Sequence, residues 1–560
     1  MSERRLDEAF ALAYESFEPR EEGLREALTS TGNGYFCTRG AAEWQDADGV
    51  HYPGTYAHGV YNRETTVMGG RPVLNEDLVN LPNWLVLKLR IEGDDAIGLD
   101  NVELLEYRHE YDIRYALLSR TLRFRDRAGR ETSVCTRRFV SMAHHHQAAI
   151  EWVITPENWS GRMEVVTAID GRVTNRGVTR YAELEGRHLD PVSPRTFGPE
   201  VIALKVQTRQ SNLYVAQAAR TIVFRGDEPV DVHRSLFQTE DYIQQVVACD
   251  ARAGDPLRVE KIVAFYTSRD RALSEPLGNA GESAGRYPGF VEALERHKRA
   301  WEELWRACDM RLPGNDRVQL VLRFHISHVL QVCSRYTADR DAGVPARGLN
   351  GEAYRGHVFW DELYVYPFLN FRLPDITRAL LMYRFRRLGQ ARAAALDAGY
   401  RGAMYPWQSG SDGKEETQVV HLNPLSGRWE PDLSHNQRHV NAAIFYNIWS
   451  YYEVTEDLNF LREYGAEMML EIARFWTSIA TSTRTGTAMR STASWARTNS
   501  TRSTRTRPRA GCATTPTRTS WWPGSRRLPA RCSPCCPRVA ARRCPPAWGS
   551  PTMKSPAGVR

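Results

Sequence analysis

From Thr481 to Arg560 the sequence contains no Asp or Glu, while the same segment holds 15 Arg and Lys554. No other feature constrains the fold as strongly, because it divides the chain into two sequences of unlike character. The formal net charge of +7 would suggest acidic partners if it were spread evenly. Residues 1–480 carry 58 basic against 67 acidic residues, so the main body is acidic and the basic excess belongs to the tail. Half of the ten cysteines, Cys512, Cys532, Cys535, Cys536 and Cys544, also lie there. Thr, Arg, Ser and Pro dominate this tail, and helical periodicity ends at Ala480; residues 481–560 are expected to be disordered. Cys532 to Cys536 lacks a second cysteine pair at a standard spacing and is broken by Pro534, so no metal is expected.

The acidic body has the length and the 10% aromatic content of a multidomain globular protein. Residues 1–275 read as an N-terminal antiparallel β-sandwich. Leu85 to Ile91 and Arg120 to Arg125 alternate clearly between apolar and polar residues, and Glu131 to Cys135 weakly, with breaks at Gly93-Asp94-Asp95 and Asp126 to Gly129. His144-His145-His146 cannot converge on one ion from a strand, whose adjacent side chains point to opposite faces. Residues 276–312 read as a helical linker, with Phe290, Leu294, His297, Trp301 and Leu304 on one stripe. Helices are expected at about 316–336 (Val318, Leu322, Ile326, Val329, Val332), 376–398, 439–454 and 458–480, the last capped by Asp457. No run of eighteen apolar residues exists and MSERRLDEAF has no apolar signal core, so a cytoplasmic chain without a membrane span is expected.

Between Gly348 and Asn441 aromatics, carboxylates and imidazoles recur in four clusters: 356–362, 405–410, 415–418 and 435–441. Indole faces stack on the C–H face of a sugar ring, while carboxylates and amides hold its hydroxyls. Gly-His-x-Phe-Trp-Asp, Gly402 to Ser409, Glu415 to Thr417 and Gln437 to Asn441 together resemble the inverting α-glucoside phosphorylases and trehalases of glycoside hydrolase family 65. The resemblance covers roughly residues 20 to 480. It implies a sandwich, a helical linker and an (α/α)6 barrel, of which residues 313–480 would supply an incomplete part, about half of the twelve helices. It also implies substrate-binding roles for Trp360 as stacking floor, Asp361 as hydroxyl acceptor, Glu362 beside them, and Tyr405, Trp407, Glu416 and His439 as walls. Glu362 directly follows Asp361 here, whereas many relatives place a residue between. The implied reaction is inverting phosphorolysis of trehalose, kojibiose or maltose, with inorganic phosphate as co-substrate and no other cofactor. A trehalase-type hydrolase is the alternative, and a non-catalytic sugar-binding module a third reading. Relatives are often homodimers; no nucleic-acid or membrane partner is expected.

A slipped reading frame explains why a basic tail begins inside a catalytic domain. When each codon is regrouped from the third base of the old one, the Trp495/Ala496 junction must give Gly, and the next junctions permit Pro, Asp, Glu and Phe. In the resembling family Gly-Pro-Asp-Glu followed by an aromatic carries the general acid. In a second window, Trp521/Trp522 must give Val and Trp522/Pro523 must give Ala, within a string resembling the helix that follows. The slip falls between about 478 and 486, and the acid's codon would span Thr498 and Asn499. Neither side chain is a carboxylic acid, so the chain as written is expected to lack the acid and to be inactive.

Overall fold

The computed structural model describes residues 8–482, apart from 69 and 424, and the short segment 489–491. Alternation in sequence becomes alternation in burial: along Glu131–Val140 every second side chain is buried until the strand's last residues. Glu103–Asp112, Leu117–Arg125, Glu131–Val140 and Gln147–Pro156 form an antiparallel meander. Leu257–Thr267, Tyr214–Arg225, Val201–Thr208 and Leu189–Phe197 extend the sheet beyond it. A second sheet orders His233–Thr239, Tyr242–Ala251, Gly161–Asp170 and Leu87–Ile91. Both contribute to one apolar core, in which Leu87, Leu89, Val165 and Ile169 of the second sheet join Leu122, Ile150, Trp152 and Val263 of the first. This is the expected sheet-rich N-terminal region.

His144, His145 and His146 lie in the turn before Gln147–Pro156, where His146 stacks on Tyr266 at 3.8 Å between ring centroids. They pack as rings. The linker comprises two helices, α1 (Pro276–Arg286) and α2 (Phe290–Cys308). Phe290, Leu294, His297 and Trp301 are buried as expected, but Trp305 rather than Leu304 completes the stripe; its indole donates to the Arg114 carbonyl at 2.6 Å.

Helix α3 (Asp316–Val332) ends four residues before its expected limit, and its inward face is wider than the expected stripe. Val318 and Val321 are exposed, whereas Gln319, Arg323, Ile326, Ser327 and Leu330 are buried. Leu322, Val329 and Val332 pack half-buried against the core beside Ile326 as expected, and the polar Gln319 and Arg323 join the inward face because they are satisfied there. Gln319 bonds the backbone of Met310 and Leu312, and Arg323 forms a two-point pair with Asp309.

The helical region continues through α4 (Glu362–Arg372), α5 (Pro374–Arg386), α6 (Leu388–Asp397), α7 (His439–Thr455) and α8 (Ala466–Ile479). The expected single helix over 376–398 is split at Arg387, whose side chain turns back to bond the Ser411 and Tyr383 carbonyls and Asp341. Asp457 caps the last helical stretch by accepting the Phe460 amide at 2.9 Å. Helices α4 and α7 pack side by side and run parallel. Trp360 meets His439 at their N-terminal ends, and Asn370 faces Ser450 further along. The expected tail lies outside the described residues, apart from the paired segments Ala480–Ser482 and Met489–Ser491, and so does the Thr498/Asn499 position.

Candidate active site

The four sequence clusters are stitched to one another by hydrogen bonds. Val358 and Ser409 exchange backbone bonds at 2.9 and 3.0 Å, and the Glu416 amide donates to the Gln408 carbonyl at 3.1 Å. Glu415 accepts the amides of Trp407 and Gln408 at 2.8 and 3.1 Å, which rigidifies the loop that presents Trp407. The Tyr405 amide donates to Asn441 Oδ1 at 2.7 Å, tying the same loop to the first turn of α7. Segments up to 80 residues apart thus form one rim at the N-terminal ends of α4 and α7.

On that rim Trp360, His439 and Trp407 form a continuous aromatic wall. Ring centroids are 5.3 Å apart for Trp360 and His439, and 4.8 Å for Trp407 and His439. All three are part-exposed, and Asp361 stands beside Trp360 at the helix start without capping it. Glu362, expected to bind substrate beside Trp360 and Asp361, and Tyr405, expected on the wall, are turned away into the core. Glu362 is buried against Arg384, whose Nη2 and Nε donate to it at 2.9 and 3.1 Å, and it accepts the Tyr366 hydroxyl at 2.8 Å. The Tyr405 hydroxyl donates to the Arg384 carbonyl at 3.1 Å. Both residues bear on the wall indirectly, since Arg384 also donates to the Phe359 carbonyl at 3.0 Å, next to Trp360.

A hairpin of the N-terminal region, Tyr61–Met68 paired with Arg71–Leu78, reaches across to brace this rim. The Tyr61 hydroxyl donates to the Gly356 carbonyl at 2.6 Å, and Arg355 holds Asp77 and the Glu76 carbonyl at 3.0 and 2.7 Å. Gly356 has φ +68, and a Cβ there would lie 2.3 Å from Leu78. Only glycine fits that approach.

Residues 12–304 match the sequence profile of the Glycosyl hydrolase family 65 N-terminal domain, and residues 323–490 that of the Glycosyl hydrolase family 65 central catalytic domain. The chain belongs to glycosyl hydrolase family 65. An uncharacterized glycosyl hydrolase of Mycobacterium tuberculosis is 45% identical over 474 residues, covering 85% of this chain and 36% of its own. Kojibiose phosphorylase of Caldanaerobacter subterraneus subsp. tengcongensis is 33% identical over 486 residues, covering 84% of this chain and 60% of its own. Trehalose 6-phosphate phosphorylase of Lactococcus lactis subsp. lactis is 32% identical over 467 residues, with coverage of 82% and 58%. A solved structure named as a candidate kojibiose phosphorylase from human microbiome shares the fold, with TM-score 0.72 and 20% identity over 85% of this chain and 60% of that one. The family 65 chain therefore spans 36–60% of the length of these relatives.

Electrostatics divide the family 65 site in two. Along the wall, burial raises the Asp361 carboxyl above its usual range, with its own backbone amide and Arg347 pulling the other way. Burial also keeps the His439 imidazole below its ordinary value, so it is uncharged near neutrality. Behind the wall, Glu416, Glu76 and Asp412 crowd around Arg63, and Lys414 also pairs with Asp412 at 3.1 Å. Burial and then the Glu76 charge push Glu416 up to about 7. Glu416 thus serves the hairpin contact rather than the wall. Among the described residues no group of His, Cys, Asp and Glu is arranged to hold a metal ion.

Arg63, Glu76, Asp77, Arg355 and Arg384 escape the sequence because they lie outside the clusters or look like ordinary charges on a strand or helix. Glu76 accepts the Ser411 amide at 2.9 Å, and a Cβ on Gly410 would lie 1.7 Å from the same carboxylate. Gly410→Ala is therefore expected to displace Glu76 and lower stability by about 1–3 kcal/mol. Urea unfolding followed by tryptophan fluorescence reads the loss; an unchanged midpoint would show that the hairpin does not brace the rim.

Proposed function

We propose that this chain holds one glucosyl ring of an α-linked disaccharide against Trp360, Trp407 and His439, and descends from enzymes that cleave that disaccharide with inorganic phosphate. The observation that carries the reading is the aromatic wall with Asp361 at its edge. A part-exposed indole offers a flat apolar face to the ring, and an adjacent carboxylate accepts its hydroxyls. Membership of family 65 and the phosphorylases among the relatives support phosphorolysis over hydrolysis. Trehalose, kojibiose and maltose are the candidate substrates. In the reaction, a carboxylic acid protonates the leaving oxygen while phosphate attacks the opposite face of the ring, so no second carboxylate is needed as base. The residues described here supply the ring's floor, not the acid.

Calorimetric titration of the full chain with each disaccharide tests this. At least one should saturate, and Trp360→Ala should weaken it by about tenfold, the worth of one aromatic contact of roughly 1.5 kcal/mol. Asp361→Asn should weaken it as well while leaving thermal stability near that of the parent. No saturable heat from any of the three would end the reading. Glucose 1-phosphate formed only when phosphate is present marks a phosphorylase; free glucose without it marks a hydrolase.

A further inference from the structure

Glu352 is buried where three segments meet that are distant in sequence. Its Oε2 accepts the Gly177 amide at 2.8 Å and its Oε1 accepts the Tyr56 hydroxyl at 3.0 Å. The same Oε1 lies 2.5 Å from the Tyr52 hydroxyl oxygen, which is also 2.5 Å from the Thr174 carbonyl oxygen. The Arg176 N–H points at the Tyr52 oxygen at 3.0 Å, and the Asn80 amide group lies 3.2 Å from both that oxygen and the Thr174 carbonyl oxygen.

A phenol has one hydrogen to give, and here two acceptors sit equally close to it. If Thr174 takes it, the phenol oxygen faces a carboxylate oxygen with nothing between them. If Glu352 takes it, the phenol oxygen faces the carbonyl in the same way. One additional hydrogen removes the conflict, and among these groups only Glu352 can carry it. As the neutral acid it donates to Tyr52, whose own hydrogen goes to Thr174. The phenol oxygen then accepts from Glu352 and Arg176, one hydrogen for each lone pair, while the Asn80 amide group donates to the Thr174 carbonyl.

We propose that Glu352 is a positioning residue for the sugar-holding wall, acting as the neutral acid whose hydrogen to Tyr52 fixes the start of the segment that delivers Trp360 and Asp361. The role rests on the sugar-binding reading above. The segment needs such an anchor. Tyr354, Arg355 and Gly356 are three consecutive residues in the left-handed region, at φ 54, 59 and 68, a conformation that Tyr and Arg keep only when their surroundings hold them. Asp77, Glu76 and Tyr61 grip the far end through Arg355 and Gly356, and Glu352 grips the near end. The Tyr354 ring then packs on Phe359, and Phe359 on Trp407, at 5.3 and 5.5 Å between centroids.

The ionisable groups facing Glu352 are Tyr52 and Tyr56 on the sandwich side and Asp77 from the hairpin. Arg39 lies beyond Tyr56, and Asp77 is itself paired with Arg355 at 3.0 Å. Arg176 and Arg180, on the segment that carries Gly177, are exposed. Burial pushes the Glu352 carboxyl up to about 7, with the Tyr52, Gly177 and Tyr56 bonds opposing it and the Asp77 charge adding to it. The hydrogen is therefore present below that value and lost as pH rises through it.

Hydrogen–deuterium exchange of the full chain reads the anchor without any sugar. From pH 6 to 8.5 the peptide over residues 352–361 should exchange faster than the base-catalysed trend set by the strand Tyr214–Arg225. The excess should grow by about tenfold per unit above the midpoint, as the neutral fraction falls. Glu352→Gln keeps a donor for Tyr52 and an acceptor for Gly177, and should show no excess. A wild-type profile parallel to the control strand overturns the proposal, with or without a folded variant; so does a variant with the same excess as wild type. Affinity for whichever of kojibiose, trehalose and maltose binds, followed by tryptophan fluorescence, should fall over the same range in wild type only, and a flat affinity in a wild type that binds overturns the positioning role. If none of kojibiose, trehalose and maltose binds at any pH while the exchange excess persists, the sugar-binding reading fails and the hold of Glu352 on the segment stands.

Discussion

Arg384→Ala is expected to destabilise the helical region by about 3–5 kcal/mol, the usual consequence of removing one partner from a fully buried ion pair. Both side chains are 1% exposed, so neither water nor salt can replace the lost guanidinium. Glu362 would keep the Tyr366 hydroxyl and a 3.3 Å contact from the Val344 amide, too little to solvate a buried carboxylate. The Phe359 carbonyl would also lose its donor, next to the residue proposed as the sugar's floor. Loss of stability and loss of disaccharide binding should therefore appear together. Urea unfolding measures the first and titration calorimetry the second. A double variant, Arg384→Met with Glu362→Met, separates charge from packing. It removes both ions and should recover most of the stability, because desolvating such a pair costs nearly as much as its attraction returns. A single variant that loses under about 1 kcal/mol, the level of an exposed pair, would mean that water reaches Glu362.

The same pair shows what sequence could and could not convey. Period-two and helical patterns located the sandwich, α2 and α7 because burial in those elements follows apolar residues. On α3 the pattern held for Leu322, Ile326, Val329 and Val332 but missed Gln319 and Arg323, which are buried while Val318 is exposed. Polar burial depends on partners elsewhere in the chain, here Met310, Leu312 and Asp309, and no local pattern encodes them. The site divides along the same line. Trp360, Asp361, Trp407 and His439 were legible because aromatics and carboxylates clustered in sequence are also adjacent in space. Glu362 and Tyr405 carry the same residue types in the same clusters yet point inward, a distinction made by Arg384, 22 residues after the one and 21 before the other. The brace from Glu76 and Arg63 was illegible for a further reason: a hairpin some 280 residues before the clusters supplies it.

Inserting one base within codons 478–486 is expected to have the largest effect of all, converting a chain that binds disaccharide without turnover into one that cleaves it. In the shifted frame the forced glycine at the Trp495/Ala496 junction is followed by codons permitting Pro, Asp and Glu, and the glutamate falls across Thr498 and Asn499. A carboxylic acid at the leaving oxygen is worth about 10²–10⁴-fold in rate. The restored chain would also continue the helical region, which on its own could strengthen binding or folding without any chemistry. A third protein separates these effects, with the frame restored but the new glutamate codon changed to glutamine. Glucose 1-phosphate release from kojibiose, trehalose and maltose in the presence of phosphate should be high in the restored chain and at background in the chain as given. The glutamine control should bind disaccharide as tightly as the restored chain, with a rate lower by at least the factor assigned to the acid. Equal rates in restored and control chains would place the acid elsewhere. A restored chain that neither folds nor turns over would leave the basic segment as a native feature of the protein, and the aromatic wall as a binding surface in its own right.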